Sequence, residues 1–256
     1  MSILMVLSVA FSGCASTEGD SSEQSAQETT ANEQVTATEA LTTQAPTEET
    51  HENPVDSSWF DDAVFVGDSV SVMLNIYCDN NPEALGDAKF LCAGSLGYTN
   101  AQWEIDDPNN VHPSYRGETV LAENCAEVTG ASKVLIMMGM NDIGVYGIDG
   151  GIESCDSLIK KIKKNSPNAQ IYIQSVTPIM LGHEGDVLNN TNVQAFDQKL
   201  SEYCDANDCK YLDVYHALCD AYGYLPEEYC GDPEGQGIHF TSAACEVWID
   251  YLKQNV

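Results

Sequence analysis

Five short apolar runs, each continuous rather than alternating, constrain this chain more than any other feature. They are AVFVG (63–67), KFLCAG (89–94), KVLIMMG (133–139), QIYIQSV (170–176) and KYLDVY (210–215). A strand with one wet face alternates apolar and polar residues, whereas a strand buried on both faces reads as an unbroken apolar run. Between the runs the period changes. Ile152, Cys155, Leu158, Ile159 and Ile162 share one helical face, as do Val193, Phe196, Leu200 and Tyr203, and a last helix carries Ala244, Val247, Trp248, Tyr251 and Leu252. Strands separated by helices require right-handed crossovers and a parallel sheet covered on both sides. The expected fold is therefore α/β, a three-layer α/β/α sandwich with a mainly parallel five-stranded sheet. In such sheets the site is built at the carboxyl ends of the strands.

The first 58 residues lack this pattern. ILMVLSVAF (3–11) is apolar but far shorter than the ~20 residues that span a bilayer as a helix. It leads into SGCAS, small residues around Cys14, which fits the end of an export signal and resembles a bacterial lipobox with Cys14 as the lipidated residue. From Ala15 to Ser58 the chain holds ten acidic residues, no Lys or Arg and no aromatic. Such a composition cannot bury enough apolar surface to offset its conformational entropy. The expected organisation is a signal peptide over 1–14, a disordered acidic tether over 15–58 and one domain over 59–256. The expected location is the outer face of a bacterial cytoplasmic membrane, reached only through the lipid on Cys14.

Charge and cysteine usage narrow the function classes. Of 40 acidic residues in the chain, 30 lie beyond the tether against 10 Lys and Arg, so the domain carries a net charge near -20. This argues against nucleic acid and against adsorption to anionic lipid. Lys160, Lys161, Lys163 and Lys164 form the one basic cluster and read as a solvated helix face. Nine cysteines follow Cys14 with no CxxC pair, which argues against a structural zinc site and leaves any disulfide pairing open. No metal or other cofactor is expected.

The strand ends carry the chemistry. The first runs into Gly67-Asp68-Ser69, the second into GSLGYTN (94–100), the third into GMND (139–142), and GQGIHFT (235–241) precedes the last helix. Each motif alone is weak. Taken in order and at these element ends, they resemble the GDSL/SGNH hydrolases, serine esterases and acylhydrolases on a flavodoxin-like sheet.

The resemblance implies specific roles. Ser69 matches the nucleophile, and its place at a helix start puts a developing alkoxide at the positive end of the dipole. His239 matches the base that takes the serine proton and returns one to the leaving alcohol. The backbone N–H groups of Ser69 and Gly97 and the side-chain amide of Asn141 match the oxyanion hole. Asp68 and Asp142 read as positioning residues that accept backbone hydrogen bonds.

One position departs from the family pattern. Three residues before His239, where the family carries aspartate, stands Gln236. Asp232 and Glu234 lie just upstream, and Asp232 is the first choice for the carboxylate that orients the imidazole. Should neither reach the ring, a Ser69/His239 dyad remains. The implied function is a surface-tethered esterase that removes acyl groups, acetyl above all, from a carbohydrate or cell-envelope polymer. The alternatives are a binding module that has lost catalysis with its aspartate, and a lipid acylhydrolase or thioesterase. His112 is expected on an exposed loop. His183 and His216 have no partner at metal spacing, and Trp103 is the best placed tryptophan for stacking on substrate.

Overall fold

The computed structural model describes residues 54–256. The signal segment, Cys14 and the tether up to residue 53 lie outside the described residues. The fold begins ahead of the expected boundary at 59. Val55 N–H donates to the Lys253 carbonyl at 2.7 Å, and the Asp56 carboxylate caps a 3-10 turn, Ser57–Phe60. These hydrogen bonds hold polar residues that composition alone had assigned to the tether.

The five apolar runs form one sheet: β1 (Ala63–Gly67), β2 (Lys89–Cys92), then β5 (Lys133–Met137), β6 (Gln170–Gln174) and β7 (Lys210–Leu212). All neighbouring pairs are parallel, in the order β2-β1-β5-β6-β7. The remaining strands, β3 (Ser114–Tyr115) and β4 (Glu118–Thr119), make a small antiparallel hairpin. Its turn residues Arg116 and Gly117 both have positive φ, the requirement of a two-residue primed turn. Among the sheet strands taken in chain order, the arrangement is the flavodoxin-like 2-1-3-4-5.

Alternate strand residues feed two cores. Val64, Val66, Leu91, Val134, Ile136, Ile171 and Ile173 pack on one face with Leu158, Ile162, Phe196 and Leu200. Those partners belong to α3 (Met140–Asn165) and α4 (Asn190–Ala206), which with the short α2 (Cys125–Thr129) cover that side. Phe65, Leu135, Met137, Tyr172 and Leu212 pack on the other face with Leu74, Leu218 and Trp248. Those come from α1 (Ser69–Asn80), α5 (Val214–Leu218) and α6 (Ser242–Asn255). Trp248 is fully buried, and its indole N–H donates to Gln174 Oε1 at 2.7 Å, so the ring brings no unpaired donor into the core.

Several strands end sooner than their apolar runs. The last stops at Leu212, because Asp213 caps α5 by accepting from His216 N–H at 3.1 Å, and the valine and tyrosine beyond it are helical. The lysine cluster is largely engaged: Lys160 pairs with Asp156 at 2.6 Å, Lys161 with Glu123 at 3.1 Å, and Lys163 donates to the Asp208 carbonyl at 3.0 Å. All nine cysteines among the described residues are free thiols.

This topology fixes where a site can form. The chain leaves β1 through α1 on one face, and after β2 crosses to β5 through α2 on the other, so the connections from β1 and β5 diverge and open a crevice at their carboxyl ends. Gly67 ends β1 there. A Cβ on it would stand 2.0 Å from Ser71 Oγ and 2.8 Å from the Met137 carbonyl oxygen, so only glycine lets α1 start so close to β5.

Candidate active site

Ser69 is the first residue of α1, placed in the crevice by the turn at Asp68. The Asp68 carboxylate accepts from Val70 N–H at 2.9 Å and is fully enclosed. Burial raises its pKa to about 6 against the pull of the Val70 and Ser71 N–H groups and of His239. Its role is that of a helix cap, which leaves the Ser69 hydroxyl free for another partner.

That partner is His239. Nε2 of the ring lies 3.0 Å from Ser69 Oγ, and Nδ1 lies 2.7 Å from Asp232 Oδ2. The carboxylate therefore comes from seven residues upstream of the histidine rather than three. The loop explains how. An antiparallel bridge between Cys230 and Phe240 closes its base, and Gly231 N–H donates to the His239 carbonyl at 2.7 Å. Inside it the backbone wraps the Asp232 side chain, whose Oδ1 accepts from the N–H groups of Ile238 and His239 and whose Oδ2 accepts from that of Gln236 at 3.1 Å. Gln236 thus serves through its backbone, and Glu234 stands exposed on the loop. Burial would raise the Asp232 pKa, but the imidazole and the backbone donors outweigh it and hold the carboxylate at about 2.

The opposite wall is tied together by Asp142. This buried carboxylate accepts from Tyr98 N–H at 2.8 Å and Thr99 N–H at 2.9 Å, joining the loop after β2 to the start of α3. Burial raises its pKa against those two donors. A Cβ on Gly97 would meet Asp142 Oδ2 at 2.5 Å, so the approach depends on glycine. Asn141, beside it, donates from Nδ2 to the Leu96 carbonyl at 3.0 Å, and its second amide proton has no partner among the described residues.

Gly97 departs from the expectation for an oxyanion donor. Its N–H does not stand open to the crevice but donates to Asn100 Oδ1 at 2.8 Å. Asn100 also donates from Nδ2 to the Ser95 carbonyl at 2.8 Å, bracing a turn in which Ser95 adopts a left-handed φ of 62°. The signal for Asn100 in the sequence is its position three residues after the motif glycine, from which an Asn side chain can reach back to a backbone N–H.

Other candidates fall elsewhere. His112 is buried, not on an exposed loop, with Nε2 3.1 Å from the Trp103 carbonyl. The apolar packing of Val111 against the core draws it in. His216 pairs with Asp213 at 2.7 Å. His183 packs directly over Gly237, beneath the histidine loop, and with Ile179, Leu188, Gln236 and Ile238 lines a cavity of about 200 Å³. Trp103 is half-buried. Among the described residues no group of three or more His, Cys, Asp or Glu side chains is placed to hold a metal ion.

Comparison with known proteins identifies the family and the fold. The model of the GDSL-like lipase/acylhydrolase family matches residues 65–247, and the chain belongs to that family, the serine hydrolases of ester bonds. Among solved structures it is similar to a GDSL-like lipase from Bacteroides thetaiotaomicron VPI-5482, with a TM-score of 0.55 at 16% identity over 78% of this chain and 88% of that one. It is also similar to the C-terminal catalytic domain of Streptococcus pneumoniae peptidoglycan O-acetyltransferase A (OatA), with a TM-score of 0.50 at 16% identity over 78% and 92%. No curated protein matches the sequence. At such identities the structural likeness speaks for the fold alone.

Proposed function

We propose that the protein is an exported, lipid-tethered esterase that removes short acyl groups, acetyl above all, from a carbohydrate or cell-envelope polymer. The observation that carries the catalytic part is the hydrogen-bonded chain from Ser69 through His239 to Asp232. His239 Nε2 takes the proton as Ser69 Oγ attacks the ester carbonyl, and the tetrahedral oxyanion is met by Ser69 N–H and the uncommitted amide proton of Asn141. The imidazolium is stabilised by Asp232. It returns the proton to the departing alcohol, leaving an acyl-serine that water hydrolyses by the same route.

The reading as a binding module rested on Gln236, and with Asp232 at 2.7 Å from the ring that support is gone. A panel of p-nitrophenyl esters of increasing chain length tests the activity. Turnover should be highest for acetate and fall beyond butyrate, with a serine-directed phosphonate blocking it. A rising profile toward long chains would make the protein a lipid acylhydrolase, and silence toward every ester and the phosphonate would remove the esterase reading.

The location rests on the sequence around Cys14 and on the acidic composition that follows it. Protein recovered from membranes of the native host should carry lipid on Cys14 as its first residue. An unmodified thiol there, detected by intact-mass analysis, would refute the anchor.

A further inference from the structure

Two of the free thiols, Cys204 and Cys209, lie across one turn at the amino end of β7, the end of the sheet away from Ser69. Here α4 closes in a six-to-one turn. Cys209 N–H donates to the Cys204 carbonyl at 3.4 Å, Asn207 N–H donates to the same carbonyl at 3.2 Å, and Asp208 takes a left-handed φ of 52°. In a helix end of this kind the side chains that flank the turn meet in an apolar contact. In this chain both are cysteines, and both pack on the same core. Bond lengths cap the Cα separation across the 3.4 Å hydrogen bond at about 7 Å, and the bond angles bring it inside that limit, within the span of a disulfide. The Cys209 thiol already points back over the turn, donating to the Asn207 carbonyl at 3.6 Å.

The two thiols differ in access. Cys204 is 2% exposed, whereas Cys209 is half-buried and lines a cavity of about 360 Å³ with Lys163, Gln170, Asp208 and Lys210. Burial raises the Cys209 pKa, and the Lys163 ammonium, held there by the Asn207 and Asp208 carbonyls, pulls against it. We propose that Cys204 and Cys209 form a reversible disulfide, with Cys209 as the attacking thiol, that staples the end of α4 to the start of β7. The inference stands apart from the esterase reading. Its oxidant is a small-molecule disulfide such as oxidised glutathione. The Cys209 thiolate attacks one of the oxidant's sulfurs, the oxidant's S–S bond breaks, and one thiolate leaves. Cys204 then gives up its proton and attacks Cys209 Sγ, expelling the second thiolate. Two electrons and the two cysteine protons pass to the oxidant, which departs as two thiols.

The test is disulfide mapping of the full chain. Protein purified with dithiothreitol is exchanged into an equimolar mixture of reduced and oxidised glutathione, its remaining thiols are alkylated, and the chain is cut with trypsin. No Lys or Arg separates the pair, so both fall in one peptide, 200–210. That peptide should be lighter than its reduced form by two hydrogens and carry no alkyl group. Dithiothreitol should then lower the Tm of the oxidised protein by several degrees, the stabilisation a short disulfide loop gives a domain of this size. Cys204→Ser should lose that shift and carry a single glutathione on Cys209, while Cys209→Ser should leave Cys204 unmodified, which fixes the order of attack. Cys155, buried in the same core, falls in another peptide, so a link to it would appear as a cross-linked pair. A peptide 200–210 that stays a dithiol in the folded protein, a Cys155 cross-link, or equal melting with and without dithiothreitol would overturn the proposal. Should either serine variant fail to fold, the wild-type map and its melting decide alone.

Discussion

Replacing Ser69 by alanine is expected to lower kcat/KM for p-nitrophenyl acetate by about 10⁴-fold or more while leaving the melting temperature nearly unchanged. The size follows from the role: the hydroxyl 3.0 Å from His239 Nε2 supplies the attacking atom, and in serine hydrolases removal of the nucleophile costs about as much as removal of the whole triad. The small effect on stability follows from the surroundings. Ser69 is half-buried at the mouth of the crevice, and α1 is capped by Asp68 rather than by the serine. A variant retaining activity within tenfold of wild type would show that another group attacks the ester.

Replacing Asp232 by asparagine should lower kcat by about 10³- to 10⁴-fold with little change in KM, because the anion is needed mainly when the imidazole becomes charged. Asparagine keeps an acceptor for the backbone N–H groups of Ile238 and His239, so the loop should survive. Glu234→Ala should leave turnover within about twofold, since that side chain is exposed on the loop. The assignment is wrong if Asp232→Asn hydrolyses ester at the wild-type rate. The same carboxylate links activity to acid stability. Its folded pKa of about 2 lies below the ordinary carboxylate value near 4, so its ionised form stabilises the fold above about pH 4 and that contribution is lost as the pH falls through about 2.

The architecture was legible because it is written in neighbouring residues. A continuous apolar run states that both faces of a strand are buried, and a 3.6-residue period states which face of a helix meets it. From these, five parallel strands and the helices at 152–162, 193–203 and 244–252 followed, and each strand end could be inspected for chemistry. The errors fall where that local signal weakens. Composition put residues 54–58 in the tether, yet Val55 is held by Lys253 at the far end of the chain. The hairpin over 114–119 is too short and polar to announce itself, and His112 next to it is buried by the packing of its neighbour.

At the site, the sequence named the serine, the histidine and the asparagine through the resemblance of its motifs to the GDSL/SGNH hydrolases, and the fold sets Ser69 Oγ 3.0 Å from His239 Nε2. The sequence put Asp232 ahead of Glu234 without placing either carboxylate, and it did not say whether Gly97 N–H was open. Both questions turn on side chains that reach back across a few residues of irregular backbone, where no period constrains direction. Only the tertiary structure decided them. The Cys230 and Phe240 bridge closes the histidine loop around Asp232, and the Asp142 carboxylate draws the Gly97 turn against α3, where the side chain of Asn100 takes the glycine's N–H.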